Sequence, residues 1–341
     1  MRAEKPGDPE FSPVMQELLN EFPTYTLKDI QSFKINPANH IVGHGFLRKG
    51  AACLLTGGTG DGKSVLGAQF ALGLASGKDI LKIFKVHQPQ RVLYIEAEND
   101  EEILKKDLSS ILEYTGYPPS IIQKNLVIRH VPGLDGETFG EFLHACVKLH
   151  RPNVIIIDPY QSFVGAVDMN SSMSFLSWKS AIEFILYTYH VALLLIAHGP
   201  KPGSREDWSV RQGIYSQSGT KTLSNWVRTG FELVPLKNEM LKFRLEISKN
   251  AELIDLDQNP PHRALFIEHS GNPRTPYWKV SPVQEGAVHV DVKALVRACA
   301  KEHPDMSQRD MAVHLHLGKS TIAHHLRGWV RPTKVKGKKK S

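Results

Sequence analysis

The sequence has few cysteines and no long apolar run, and both absences narrow the kinds of protein it can encode. Its three cysteines, Cys53, Cys146 and Cys299, are scattered and follow no metal-binding spacing. This pattern argues against a disulfide framework and a zinc site, and it is typical of reduced thiols. No apolar stretch approaches the roughly 20 residues that span a bilayer. No apolar segment follows the charged first residues, as it would in a secretory signal peptide. We therefore expect no secretory signal, no membrane segment and a cytoplasmic location.

Internal repeats of the solenoid type are also missing, whereas the charge balance is basic. Lys and Arg number 42 against 35 Asp and Glu, which gives a formal net charge of +7. Part of this excess lies in residues 331–341, which we interpret as a basic tail. A basic excess is consistent with nucleic-acid binding, but basic ends also serve only to increase solubility.

The most specific motif is the stretch G-G-T-G-D-G-K-S at residues 57–64. It fits the phosphate-loop pattern G-x-x-x-x-G-K-[ST], and it follows an apolar strand and precedes a helix. In this pattern backbone N–H groups surround the phosphates, Lys63 reaches the β- and γ-phosphates, and the Ser64 hydroxyl binds Mg²⁺. A glycine-rich turn that binds nothing is the alternative. The predicted nucleotide contacts are Gly57, Gly58, Thr59, Gly60, Asp61, Gly62, Lys63, Ser64 and Val65.

Apolar runs alternate with amphipathic segments after the phosphate loop, a pattern typical of a parallel α/β sheet. We predict strands over 91–95, 125–129, 154–157 and 191–197, and helices over 101–114, 138–150 and 175–189. Three later segments, at 230–235, 241–247 and 264–268, predict antiparallel strands that close one side of the same sheet. The predicted domains are an N-terminal arm (1–25), an α/β domain (26–269), a linker (270–289), a small helical domain (290–330) and the tail.

Three polar side chains follow predicted strands at the edge where the phosphate loop lies. Asp158 ends an apolar strand and is placed to bind Mg²⁺ beside Ser64, although a strand-end Asp is often only a helix cap. Glu98 follows another strand and is a candidate base for the attacking water, with Glu96 expected on the same side. A pair of solvated acids at the end of a strand is the alternative. His198 is placed to contact the γ-phosphate, although a single strand-end His is usually structural.

This ordered set of motifs resembles the RecA-like ATPases, and within them the branch that includes plasmid-encoded hexameric replicative helicases. The resemblance covers roughly residues 26–250. It implies a RecA-like core, ATP and Mg²⁺ as ligands, and catalytic roles for Lys63, Glu98 and His198. The segment 217–228 is similar to the one that ends in an arginine finger, which implies that Arg228 acts in the site of a neighbouring subunit. Lys249 is a second candidate for that role, and Asp61 departs from the small or neutral residues usual in the loop.

The resemblance also implies DNA contacts. In that family the loop after the strand-end His faces a central channel and contacts DNA, which here points to Lys201, Arg205 and Arg211. A mobile surface loop of mixed charge is the alternative.

A second module is predicted near the C-terminus. We predict a helix over 292–302, and the capping box Ser307–Asp310 predicts a second helix that ends at residue 315. A turn at 316–318 then leads to a last helix capped by Ser320. The pattern is similar to helix-turn-helix DNA-binding domains and would present Lys319, Thr321, His324 and Arg327 to DNA; a protein-docking module is the alternative.

The sequence therefore predicts a Mg²⁺-dependent ATPase that acts on DNA, with a homo-oligomeric ring, and a hexamer in particular, as its expected assembly. We expect a replicative-type DNA helicase of a mobile element. A RecA-like recombination mediator and an ATP-gated DNA-binding regulator or initiator remain as alternatives.

Overall fold

A computed structural model describes most of the chain in several segments. The described residues are 12–21, 24–165, 172–199, 221–236, 241–254, 264–281, 296–297, 299–301, 303, 305–314, 322–323 and 326–327. The chain divides into two compact units, Met1–Pro37 and Ala38–Ser341, each described by itself below.

The N-terminal unit contains two short helices, α1 (Pro13–Glu21) and α2 (Leu27–Ser32). A capping box starts α2: the Thr26 hydroxyl accepts the Asp29 N–H at 3.2 Å, and the Asp29 carboxylate accepts the Thr26 N–H at 2.8 Å. These bonds satisfy backbone donors that have no partner inside the helix. Helix α1 lies in the segment that we interpreted as an N-terminal arm.

The larger unit contains the other helices and the strands found among the described residues. Its helices are α3 (Lys63–Ser76), α4 (Glu101–Thr115), α5 (Pro119–Asn125), α6 (Gly136–His150), α7 (Ser172–Tyr189), α8 (Lys221–Trp226) and α9 (Gln308–His314). Its strands are β1 (His40–Val42), β2 (Leu47–Arg48), β3 (Ala52–Gly57), β4 (Val92–Glu96), β5 (Leu126–His130), β6 (Val154–Asp158), β7 (Ala192–His198), β8 (Thr229–Pro235), β9 (Lys242–Lys249), β10 (Ala264–His269) and β11 (Trp278–Val280). Among the described residues, no helix combines the length and the apolar character that a membrane crossing requires.

A nine-stranded sheet forms the centre of this unit, in the order β11-β10-β9-β8-β3-β7-β6-β4-β5. The strands from β8 to β5 in this order pair in parallel, and β9, β10 and β11 extend the β8 side through antiparallel pairs. Strands β1 and β2 form a separate two-stranded sheet. The predicted fold class is confirmed: a mixed α/β fold with a mostly parallel sheet, extended by antiparallel strands on one side.

The central parallel strands β3, β4, β6 and β7 are buried, and because successive side chains point to opposite sides of the sheet, they contribute to a core on each face. On β3, Leu55 joins a core with α3, α4 and α5, while Leu54 joins a second core with α6 and α7. On β6, Ile156 likewise joins the first core and Ile157 the second. Such strands read as continuous apolar runs, which explains why they were predictable.

The segment predicted as a linker, 270–289, contains a strand of the sheet, so this prediction is wrong for its middle part. Residues 278–280 form β11, which pairs with β10 through the register Ile267↔Val280 and His269↔Trp278. Trp278 is fully buried there. The Pro- and Gly-containing turn that precedes the strand is what suggested a linker.

The described C-terminal residues contain a third, small core formed by Val296, Cys299, Ala300, Met311 and Ile322. Helix α9 begins after Ser307, whose hydroxyl accepts the Asp310 N–H at 3.1 Å, as the predicted cap requires. The helix-turn-helix itself stays a prediction.

Candidate active site

The phosphate loop connects the end of β3 to the start of α3. Gly60 and Gly62 have φ values of 82° and 81°, a left-handed conformation that other residues rarely adopt. After Gly62 the chain enters α3 at Lys63, so the first N–H groups of this helix face out of its N-terminus. The loop therefore has the backbone shape of an anion site at a helix N-terminus.

Two side chains of the loop bond to the backbone of Gly58. The Lys63 ammonium, which is buried, donates to the Gly58 carbonyl over 2.6 Å. The Asp61 carboxylate accepts the Gly58 N–H at 2.5 Å. The unusual acid therefore lies folded back on its own loop.

Asp158 ends β6 and is almost fully buried beside the loop. It accepts hydrogen bonds from the Ser64 hydroxyl and from the Tyr94 hydroxyl, the latter at 2.7 Å. Burial raises the pKa of Asp158 to about 6, although these two hydrogen bonds and the nearby Lys63 charge act against the rise. Ser64 and Asp158 thus lie in contact, as the sequence predicted for a shared metal ion.

This donor set fits Mg²⁺. The ion prefers oxygen ligands, and it is usually held by one or two protein groups together with phosphate oxygens and water. One hydroxyl and one carboxylate oxygen meet at Ser64 and Asp158. Across the described residues, no three His, Cys, Asp or Glu side chains group into a site able to hold a metal alone. A Mg²⁺ ion held here would take its further ligands from the phosphates of a nucleotide and from water.

Glu98 and His198 approach each other above the same edge of the sheet. The Glu98 Oε1 atom lies 3.6 Å from Nε2 of His198, and the Glu98 side chain is 53% exposed. Burial and the Lys63 charge lower the pKa of His198, while Glu98 acts in the opposite direction. The Nδ1 atom of His198 is buried and has no hydrogen-bond partner among the described residues.

From their two-residue spacing we predicted that Glu96 and Glu98 face the same side of a strand, and the structure contradicts this prediction. Strand β4 ends at Glu96, so the two-residue alternation does not continue to Glu98. The buried Glu96 carboxylate accepts the backbone N–H groups of Glu98 and Asn99, and it contacts His130 Nδ1 at 3.3 Å. Glu96 therefore holds the turn from which Glu98 projects.

The strand register explains why these groups meet. Gly57 lies opposite His198 on β7, and Glu96 lies opposite Asp158 on β6. The Gly199 N–H also donates to the Gly57 carbonyl at 2.8 Å. All the predicted catalytic groups except Arg228 thus lie at the carboxyl edge of the sheet, beside the phosphate loop.

Comparison with known families agrees with this geometry. A family model described as an AAA domain matches residues 16–204, which is more than half of the 341-residue chain. The chain belongs to the AAA domain family. The matched range includes the phosphate loop, Glu98, Asp158 and His198, so the site is that of a P-loop ATPase domain. A comparison with curated proteins found no match.

The sequence did not indicate three residues that contact the site, of which Tyr94 and Gln161 lie within the matched range and Trp278 lies outside it. Tyr94 bonds to Asp158, Gln161 donates to the His198 carbonyl at 3.0 Å, and Trp278 lies against Gly62. The sequence could have pointed to Gln161, because Gln161 is a polar residue shortly after Asp158. Trp278 offered no such signal, since its contact with the loop joins residues that are 216 positions apart.

Arg228 lies outside the range matched by the AAA domain and at the other edge of the sheet. Its N–H donates to the carbonyl of Ala52 at the start of β3, and its side chain is exposed. Because Leu233 pairs with Gly57, five residues of β8 separate Arg228 from the level of the phosphate loop. At about 3.3 Å per residue this distance is roughly 16 Å.

Lys249 lies beside Arg228 but is engaged locally. Its ammonium donates to the carbonyl of Ser224 at 3.1 Å and to that of Val227, at the end of α8. Burial, followed by the Arg228 charge, lowers the pKa of Lys249. The lysine therefore stabilises the end of this helix.

Most of the predicted DNA contacts lie outside the described residues, namely Lys201, Arg205, Arg211, Lys319, Thr321 and His324. Arg327 is described and exposed.

Proposed function

We propose that this protein is a Mg²⁺-dependent ATPase that acts on DNA as a ring of identical subunits, and specifically a replicative-type DNA helicase of a mobile element. In this proposal Lys63 and the loop amides bind the triphosphate of ATP, and Ser64 and Asp158 hold Mg²⁺. Glu98 activates the attacking water, and His198 contacts the γ-phosphate. Arg228 is supplied by the neighbouring subunit.

The position of Arg228 is the observation that carries the proposal. The residue is exposed, and it lies at the amino end of β8, about 16 Å along the strand from the level of its own phosphate loop. An arginine there is too far away to serve the site of its own subunit, but it is accessible to a second copy. A cation supplied in trans stabilises charge on the transferred phosphoryl group and makes hydrolysis depend on subunit contact.

Lys249 is the weaker candidate for this role. Its ammonium is used by the carbonyls of Ser224 and Val227, whereas the Arg228 side chain is exposed. Arg228 also has the planar, bidentate donor geometry that suits a phosphoryl group.

DNA is the proposed partner because of the basic net charge of +7 and the cations predicted in the loop after His198 and in the C-terminal module. A ring would place one such loop from each subunit around a strand. We propose a hexamer as its size.

The test measures ATP turnover with and without single-stranded DNA for the wild type, Arg228→Ala and Arg48→Ala. Arg48 is an exposed arginine on β2 and serves as the matched control. We expect DNA to stimulate the wild type, and Arg228→Ala to lose about 10³-fold in turnover with ATP affinity unchanged. Turnover that responds neither to DNA nor to Arg228→Ala would overturn the ring mechanism.

Mixing two inactive variants tests the trans arrangement directly. Lys63→Ala removes the phosphate lysine, and Arg228→Ala removes the finger. In a mixed assembly, an Arg228→Ala subunit keeps Lys63 and can lie beside a Lys63→Ala subunit, which keeps Arg228. The site between them then has both residues, so part of the activity should return. Mixtures that stay inactive, although subunit exchange is shown by labelling, would place Arg228 outside the neighbour's site.

A forked DNA substrate separates the helicase from its alternatives. Strand displacement supports the helicase. Strand exchange without unwinding supports a RecA-like recombination mediator, and protection of one DNA site without unwinding supports an ATP-gated regulator or initiator.

A further inference from the structure

Trp278 of the edge strand β11 contacts the phosphate loop directly. Its indole Nε1–H donates to the Gly62 carbonyl at 3.0 Å, and the residue is fully buried. The ring of His269 packs edge-on against it with centroids 5.0 Å apart. No part of the predicted catalytic set includes this aromatic pair.

A reciprocal pair of hydrogen bonds holds Trp278 against α3. The Gln69 side chain donates to the Trp278 carbonyl at 3.0 Å and accepts the Trp278 N–H at 3.0 Å. Gln69 is buried and lies in the helix that begins at the phosphate loop. The edge strand is thus bonded to the helix through Gln69 and to the loop through the indole.

The indole also occupies the space above Gly62. A Cβ atom at this glycine would lie 2.9 Å from Cζ2 of Trp278 and 3.4 Å from Cδ2 of His269. Together with the φ of 81°, this contact leaves glycine as the residue that fits. Trp278 therefore forms one wall of the turn that leads into α3.

The orientation of one peptide group follows from these contacts. In a trans peptide the C=O and the following N–H point in opposite directions. The Gly62 carbonyl accepts the Leu66 N–H at 3.1 Å within the helix and the indole N–H at 3.0 Å. With the Gly62 carbonyl held towards α3 and β11, the Lys63 N–H is held in the opposite direction, out of the N-terminus where a phosphate binds.

We propose that Trp278 is a positioning residue for the phosphate loop, fixing the Gly62–Lys63 peptide for triphosphate binding through its indole N–H. The inference rests on the proposed binding of ATP. It adds a part of the site that is supplied by the last strand of the sheet. The nucleotide would not contact Trp278; the effect passes through the backbone of Gly62.

The test compares Trp278→Phe with Trp178→Phe. Trp178 is also buried, but it lies in the core on the opposite face of the sheet, and its Nε1 has no hydrogen-bond partner among the described residues. Both variants lose the same atoms from a core, and only the first loses a bond to the loop. We expect Trp278→Phe to raise the Kd for MgATP about three- to tenfold, with kcat at saturation changed less than twofold. Trp178→Phe should lower Tm comparably without changing this Kd.

A second variant covers the case in which Trp278→Phe does not fold. Gln69→Met keeps the length of the side chain and removes both bonds to β11, so it should raise the same Kd. Intrinsic fluorescence gives an independent readout, since the chain has five tryptophans. MgATP should change the emission of the wild type and of Trp178→Phe but not that of Trp278→Phe.

The outcomes separate the two proposals. A wild type that does not bind MgATP overturns the proposed function. If the wild type binds MgATP while Trp278→Phe and Gln69→Met bind it equally well, the positioning role is overturned and the ATPase proposal stands.

Discussion

Glu98 lies just after β4 and His198 ends β7, two strands that are not neighbours in the sheet, yet Oε1 of Glu98 lies only 3.6 Å from Nε2 of His198. Strand β6, which ends in Asp158, runs between β4 and β7. The acid and the imidazole therefore meet across the end of β6. A water molecule between this pair and a bound triphosphate would have both a proton acceptor and a polar partner within reach.

The first prediction concerns Glu98. Replacing it with Gln keeps the size of the side chain and removes its capacity as a base, so turnover should fall by about 10²- to 10⁴-fold. The Kd for MgATP should change less than about twofold, because Glu98 lies off the phosphate loop. Steady-state turnover and equilibrium binding measure the two effects.

Glu102→Gln is the matched control, because Glu102 is exposed in the first turn of the adjacent helix α4. This variant should keep wild-type turnover. If Glu98→Gln hydrolyses ATP as fast as the control, another group activates the water.

The second prediction concerns the buried carboxyl of Asp158. Its pKa is raised to about 6 by burial, whereas an unfolded Asp titrates near 3.9. Because the folded form holds the proton more tightly, this group stabilises the fold most at low pH, and its contribution is lost as pH rises through about 4 to 6. At pH 7 the charged carboxylate of Asp158 therefore lowers the free energy of unfolding.

Asp158→Asn should accordingly raise Tm at pH 7 by roughly 2–6 °C in the absence of nucleotide, while abolishing Mg²⁺-dependent turnover. The gain in Tm should shrink as the pH is lowered towards 5, because the wild-type carboxyl becomes neutral. Thermal unfolding at several pH values measures it. A loss of stability at pH 7 would show that ionised Asp158 is stabilised by its partners.

The third prediction concerns Asp61, which accepts the Gly58 N–H inside the phosphate loop. Asn at this position keeps an oxygen for that hydrogen bond and removes a negative charge beside the phosphates. We expect Asp61→Asn to bind MgATP about fivefold more tightly, corresponding to about 1 kcal/mol of relieved repulsion.

Asp61→Ala removes the charge and the bond together, and it should gain less affinity than Asp61→Asn. Titration calorimetry at two salt concentrations checks both variants, since the gain should decrease as salt rises. An unchanged Kd for Asp61→Asn would mean that the carboxylate does not sense the nucleotide.

The fourth prediction distinguishes Lys249 from Arg228. Lys249→Met keeps the aliphatic stem and removes the donors to the Ser224 and Val227 carbonyls. Tm should fall by roughly 2–4 °C, whereas turnover should fall far less than in Arg228→Ala. A loss of turnover as large as that of Arg228→Ala, at unchanged Tm, would favour Lys249 as the finger.

The parallel core and the phosphate-loop edge were predictable because burial on both faces leaves a simple pattern. Runs such as 154–157 are apolar throughout, and they end at a polar residue where the strand reaches the edge of the sheet. Strands, helices and the meeting of Ser64 with Asp158 follow from that pattern.

The remaining features depend on contacts between distant parts of the chain. Strand β11 has three residues and follows a turn that is typical of linkers, so local sequence gave no indication that it pairs with β10. The prediction that Glu96 faces the same side as Glu98 was wrong for a related reason. Strand β4 ends at Glu96, whose carboxylate bonds to His130 and Asn99, and the spacing of the two acids alone does not contain that information.

The hydrogen bond from Trp278 to Gly62 has a consequence for how the protein folds during translation. Its two ends are 216 positions apart, so the phosphate loop leaves the ribosome long before Trp278. Contacts of such high sequence separation form late and slow the folding of a domain. Fragments that end at residue 269, before β11, would contain every residue of the G-x-x-x-x-G-K-S motif and still lack the indole that fixes its backbone.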